Sequence, residues 1–177
     1  MLPTIPRLAI AVPIGLACAG VLLATAPVAA TTLDHIQRLE RLINAAGTET
    51  LLSSSCPEDH AGYFESGGPA GTGRLVLCAN TVDLADSQAV WQVLAHEATH
   101  VMQSCTGATA IADRLMSRTY RELQLKAPQQ IWLLSEGYAD ADRRLEAEAF
   151  WMELQSPERV LEIFRRHCAA RLPAEQR

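Results

Sequence analysis

Apolar and polar residues along this chain fall into blocks that predict a mainly helical protein of the α+β class with one small sheet. Leu8 to Leu23 is an almost unbroken apolar run, preceded by Arg7 and followed by Pro27-Val28-Ala29-Ala30. A cation, an apolar stretch and small residues in that order predict a secretory signal peptide over residues 1–30, cut after Ala30. Pro13, Gly15, Gly20 and Pro27 work against a stable spanning helix. An uncleaved anchor, or a lipoprotein processed at Cys18 in Gly15-Leu16-Ala17-Cys18, is the alternative. Thr32 then stands as an N-cap before Leu33, Ile36, Leu39, Leu42 and Ile43, which recur at helical spacing until Gly47. A glycine-rich stretch follows, Gly62-Tyr63-Phe64 and Gly67 to Gly73, leading into Arg74-Leu75-Val76-Leu77-Cys78. It predicts a β-hairpin or small sheet.

The next helix begins at Asp86 or Ser87, either of which can cap it, and runs to about Cys105, with Gly107 closing it. A third helix is expected from Ala108 to Leu125. Pro128 then suits the first turn of a fourth, whose apolar and small residues continue to Leu154. Ser156-Pro157 opens a last helix with Val160, Leu161, Phe164 and Cys168 on its inner stripe. At 177 residues and 49% hydrophobic content, the chain is sized for one domain with a real core, taken as residues 31–177.

The helix of residues 86–105 carries His96-Glu97-Ala98-Thr99-His100. Four residues apart, the two imidazoles lie one turn apart on one face and can reach a single metal ion, while Glu97 can take a proton from water beside it. Val93-Leu94-Ala95 before the motif and Val101-Met102 after it make the helix a buried one, where charged flanks would have suggested two histidines on an ordinary solvated face. With these flanks the segment resembles the extended signature of zincin-like zinc metallopeptidases. The resemblance implies a zincin-like fold, a bound Zn2+ and hydrolysis of peptide bonds, with Glu97 as the catalytic base and His96 and His100 as metal ligands. Such peptidases present an edge strand just before the metal helix, a place the segment from Arg74 to Asn80 could take; a purely structural hairpin is the other reading.

Two histidines hold zinc incompletely, so a third protein ligand is required if water is to fill the fourth position. His100 is not followed by the compact glycine and histidine spacing of the three-histidine metzincins, which leaves a carboxylate. Glu148 is the leading candidate, because Glu146-Ala147-Glu148-Ala149 resembles the ExEA pattern found downstream of HExxH in small zinc peptidases. Glu146 shares that pattern but points about 200° away around a helix, so the two cannot easily serve one metal. Glu136, in Ser135-Glu136-Gly137-Tyr138-Ala139-Asp140, resembles the thermolysin-type segment, with serine where asparagine would stand. Tyr138, Tyr120 and His167 are candidate donors to a tetrahedral oxyanion.

Charge and cysteines sharpen the setting. The predicted cut removes Arg7 alone of the 15 basic residues and none of the 20 acidic ones, taking the net charge from −5 to −6. Nucleic acid is therefore an unsuitable partner, and a peptide or protein substrate the expected one. After the cut four cysteines remain, Cys56, Cys78, Cys105 and Cys168, an even count that in an oxidising compartment predicts two disulfides. Of the three connectivities, Cys56 with Cys78 and Cys105 with Cys168 would brace the glycine-rich hairpin and tie the metal helix to the last one. The expectation is an exported protein, periplasmic or extracellular, with no stable membrane association once cut. A secreted protein that binds zinc or peptide without catalysis, or a scaffold in which HExxH is accidental, are the competing classes.

Overall fold

The computed structural model of the chain describes residues 33–67 and 73–177. The signal peptide, Cys18 and the Thr32 cap lie outside the described residues. The architecture is α+β, six helices around a three-stranded sheet. Helix α1, Leu33–Ala45, buries Ile36, Leu39, Leu42 and Ile43, the residues whose spacing predicts it. Gly47, at φ 88°, turns the chain out of it in a conformation that a side chain would resist.

Three strands follow: β1, Thr48–Ser53; β2, Gly62–Ser66; and β3, Gly73–Cys78. β2 and β3 form the expected hairpin, antiparallel, while β1 pairs parallel with β3 on its other side. The spatial order is β1-β3-β2. This corrects the expectation that the segment at Arg74 is an edge. β3 is central, with Leu75, Val76, Leu77 and Cys78 all buried, and its hydrogen-bonding groups on both sides are used by neighbours. Among the described residues the edges of the sheet are β1 and β2. β1 was not foreseen; its Thr-Glu-Thr-Leu-Leu-Ser sequence has little apolar alternation, and pairing with a buried central strand holds it extended.

Helix α2, Ser87–Thr106, runs through the core. Asp86 caps it by accepting from the Gln88 and Ala89 amides at 2.8 and 3.2 Å, and Gly107 closes it in the left-handed region at φ 67°. Trp91, Leu94, Ala95, Ala98, Val101 and Met102 are almost completely buried against α1, β3 and the last helix. Helix α3, Asp113–Lys126, starts five residues later than Ala108, because residues 109–111 are held as a loop: the Ala110 amide donates to Glu148, and Arg144 donates to the Ile111 carbonyl. The helix expected from Pro128 to Leu154 is two, α4, Pro128–Gly137, and α5, Arg143–Glu153. Between them the apolar pattern lapses at Ala139-Asp140-Ala141-Asp142. The Arg143 guanidinium satisfies the carbonyls of Ser135 and Tyr138 at the end of α4, at 2.9 and 3.1 Å. Helix α6, Pro157–His167, is capped by Ser156 and sends Val160, Leu161 and Phe164 inward.

A second apolar cluster, built on Ile111, Met116, Leu123, Leu134, Ala147 and Phe150, joins α3, α4 and α5. Two disulfides form, with the pairing favoured above. Cys56–Cys78 ties the loop after β1 to the end of β3, and Cys105–Cys168 ties the ends of α2 and α6. Among the described residues no helix is long and apolar enough to cross a membrane.

Candidate metal centre

The α2 sequence puts His96 and His100 on one face and Glu97 on the next. The break after α4 lets α5 pack along α2, so that Glu146 is delivered to that face. His96 Nε2 lies 3.3 Å from one Glu146 oxygen and His100 Nε2 lies 3.6 Å from the other. One ligand atom from each of His96, His100 and Glu146 falls within 4.8 Å of the others, an arrangement that could hold a metal ion. All three side chains retain some access to solvent, at 14%, 18% and 15%.

The outer nitrogens of both rings are already engaged. His96 Nδ1 is 2.8 Å from Glu153, whose carboxylate can only accept when ionised, so the ring donates there. His100 Nδ1 is 2.9 Å from Gln103 Oε1. The orientation of that amide is decided by its other end: Gln103 Nε2 donates to the Leu145 carbonyl and to Glu148, each at 3.1 Å. Its oxygen therefore faces His100, which must donate from Nδ1. Both Nε2 atoms are thereby turned toward the Glu146 carboxylate, His96 Nε2 toward its buried Oε2. With neutral rings, three acceptors would face one another there; the protein's own answer is a proton kept on His96, with Tyr138 donating to Glu146. A cation resolves that arrangement, and an imidazole, imidazole, carboxylate donor set is one that zinc and similar divalent ions accept.

The carboxylate placed with the two histidines is Glu146, not the leading sequence candidate Glu148. Glu148 does not join the histidines. It is completely buried on the far side of the contact between α2 and α5, where it accepts from the Ala110 amide at 2.6 Å and from Gln103, with Arg144 Nε 3.6 Å away. The two glutamates do diverge around the helix as their spacing requires, but it is the first that faces the metal group. Glu136 is exposed at the end of α4 and is not part of it. Gln103 and Glu153, which fix the two rings, were missed. Gln103 lies three residues beyond His100 on the same helix and was legible in principle as its neighbour; Glu153 had no local signal, being 57 residues from His96.

Glu97 is buried beside the group, where α2 meets the start of β2. A methyl group added to Gly62 would sit 3.2 Å from Glu97 Cγ, so glycine allows the edge strand to approach the motif this closely. Tyr138, at the α4 to α5 turn, hydrogen-bonds Glu146, and Phe150 meets the His96 ring edge-on at 5.0 Å between centroids. Tyr120 is exposed on α3, and His167 lines a separate cavity.

Among the protein's own groups, burial is the largest influence on His96 and opposes its protonation. Hydrogen bonds to Glu146 and Glu153 and the charge of Glu97 together outweigh it, pushing His96 up to about 10. Burial and then the His96 charge hold His100 below its ordinary value. Burial raises Glu97 to about 7, with His96 opposing and Glu146 and Glu153 assisting. Burial, followed by the charge of Glu146, raises Tyr138 to about 12, so its phenol stays a donor. Glu146 itself is lowered, because its contacts with His96, His100 and Tyr138 overcome the larger single effect of burial.

No curated protein and no solved structure matches the chain. Residues 78–169, just over half of its length, match a family model described as a domain of unknown function, DUF8637. That span opens at the last residue of β3 and takes in α2, with the histidine motif, together with the Glu146 and Glu153 helix and all of α6; the chain belongs to this DUF8637 family.

Proposed function

We propose that this chain is an exported, zincin-like, zinc-dependent peptidase in which His96, His100 and Glu146 hold the metal and Glu97 is the catalytic base. The observation that carries the reading is the convergence of two Nε2 atoms on one mostly buried carboxylate, with both Nδ1 atoms committed elsewhere and a second carboxylate, Glu97, alongside. Zinc at such a site supplies Lewis acidity to a carbonyl oxygen and lowers the pKa of water to about 7.

The chain's own residues do the rest. Glu97, raised to about 7 by burial, is matched to accept a proton from the attacking water and return it to the leaving amine near neutral pH. Tyr138, kept protonated beside Glu146, can turn its hydroxyl to a developing oxyanion. The open edge of β2 begins next to Glu97, so an extended peptide adding to it as a further strand would bring a backbone carbonyl to the base. Glu153 and the Gln103–Glu148 pair hold the two rings in place. The two disulfides support an oxidising compartment and hence export.

The test is zinc stoichiometry by elemental mass spectrometry together with cleavage of an unfolded protein substrate, on wild type and Glu97→Gln. One zinc per chain in both proteins with cleavage by wild type alone is expected. Zinc without cleavage by either protein would replace the peptidase with a secreted metal or peptide binder, and protein purified without chelator that holds no metal would remove the reading.

A further inference from the structure

A cavity of about 470 Å³ opens between α3, α5 and α6, and none of His96, Glu97, His100 and Glu146 lines it. Its floor is apolar: Ile111, Met152 and Ile163 are buried there, and the indole of Trp151 forms part of the wall. Its rim is cationic. Arg114 and Arg118 come from α3, and Arg159 and Arg166 from α6. The one acidic residue in the lining, Glu122, already accepts from Trp151 Nε1 at 2.8 Å and Lys126 Nζ at 2.6 Å. Arg159 and Arg166 share Glu162. Among the described residues neither Arg114 nor Arg118 has an ion-pair partner, Arg118 only influencing Glu122 from a distance.

Two features single this place out. Four guanidinium groups crowd one opening of a protein whose net charge is −5, so the cations are gathered against the prevailing sign. Arg114 and Arg118 are also one helical turn apart, a like-charge spacing that destabilises a bare helix and that a bound anion would relieve. The volume suits a small molecule, and guanidinium groups suit a carboxylate or phosphate. We propose that this cavity is a binding site for a small amphipathic anion, one acidic head held by the arginine rim and an apolar tail laid on Ile111, Met152 and Ile163. The site is independent of the metal centre and of the peptidase reading.

The experiment is calorimetric titration of the purified protein with decanoate, compared with hexanoate, inorganic phosphate and octanol, on wild type and on Arg114→Gln/Arg118→Gln. Both arginines are exposed, so the double variant is expected to fold, and its thermal midpoint without ligand should equal or exceed wild type. Decanoate should bind wild type one to one, at least tenfold more tightly than hexanoate, phosphate or octanol, and should lose about tenfold in the variant. Equal binding of decanoate to both proteins, or binding that ignores chain length, would overturn the proposal. Co-sedimentation with phosphatidylglycerol vesicles separates the sources of the anion: attachment to vesicles without binding of free decanoate would also overturn it, and decanoate binding without attachment supports it.

Discussion

Glu146 and Glu148 are two residues apart on one helix, and their substitution by glutamine should have different consequences. Glu146 shares its carboxylate between His96 and His100 at 3.3 and 3.6 Å. A unit charge about 4 Å from another in a medium of effective dielectric near 20 contributes about 4 kcal/mol. A divalent ion doubles the gross attraction, and desolvation of a mostly buried carboxylate takes back a share of it, leaving a net of about 4 kcal/mol. Glu146→Gln should therefore weaken zinc binding about a thousandfold, at about 1.4 kcal/mol for each factor of ten. The chelated protein should lose some stability as well, because Glu146 is the main partner of the His96 proton. Glu148→Gln should act mainly on folding. Its oxygens serve the Ala110 amide, Gln103 and Arg144 in a fully buried place, so losing the charge should cost about 1–3 kcal/mol of folding stability. Zinc affinity should fall only about tenfold or less, through a looser Gln103 and His100. Competition against a fluorescent zinc chelator measures the first quantity, and guanidinium unfolding of chelated protein the second. A thousandfold loss of zinc in Glu148→Gln with near wild-type affinity in Glu146→Gln would refute the assignment.

Four further outcomes are expected. Zinc must displace the proton that His96 otherwise holds up to about 10, so the apparent affinity should fall about tenfold per pH unit as pH drops from 9 to 7, and a chelator competition flat across that range would contradict it. Folded-state values raised to about 10 at His96 and about 7 at Glu97 stabilise the chelated protein fully below the ordinary values of 6.5 and 4.5, and that stability is lost as pH rises through the folded ones; the melting temperature of chelated protein should decline from mildly acidic to alkaline pH, measured by calorimetry. At Gly62 an added Cβ would meet Val93 Cγ1 at 2.7 Å and the Val76 carbonyl at 2.9 Å, so Gly62→Ala should cost about 1–3 kcal/mol in chemical unfolding and lower activity by displacing β2 from Glu97. Replacing Cys105 and Cys168 together by alanine frees a 63-residue separation and should cost about 4 kcal/mol on the loop-entropy account, with the Cys56–Cys78 pair, at separation 22, costing about 3.

Legibility differed along the chain for physical reasons. α1, α2 and α6 could be read closely because each is a single amphipathic or buried stripe, α2 and α6 with the caps Asp86 and Ser156 as well, and such signals are local. The break at Tyr138 was not legible, because Ala139, Asp140, Ala141 and Asp142 are tolerated in helix and loop alike; what ends α4 is Arg143 reaching back to the Ser135 and Tyr138 carbonyls. β1 depends on its partner strand. β2 and β3 were legible as a hairpin, but which strand would be the edge depended on β1 arriving on the far side of β3.

The sequence by itself determined the helix that carries His96, Glu97 and His100, because spacing on a helix is fixed by backbone geometry, and it pointed to a carboxylate from further along as their partner. It also restricted the four later cysteines to three possible pairings. Only the tertiary structure decided that Glu146 is the carboxylate that stands beside the two histidines, since both glutamates lie on α5 and the choice depends on how that helix is rotated against α2. The same packing buries Glu148 under Ala110 and brings Glu153 to His96 from 57 residues away. A helix sequence specifies which residues share a face; the direction in which that face is turned belongs to the contacts of the whole fold.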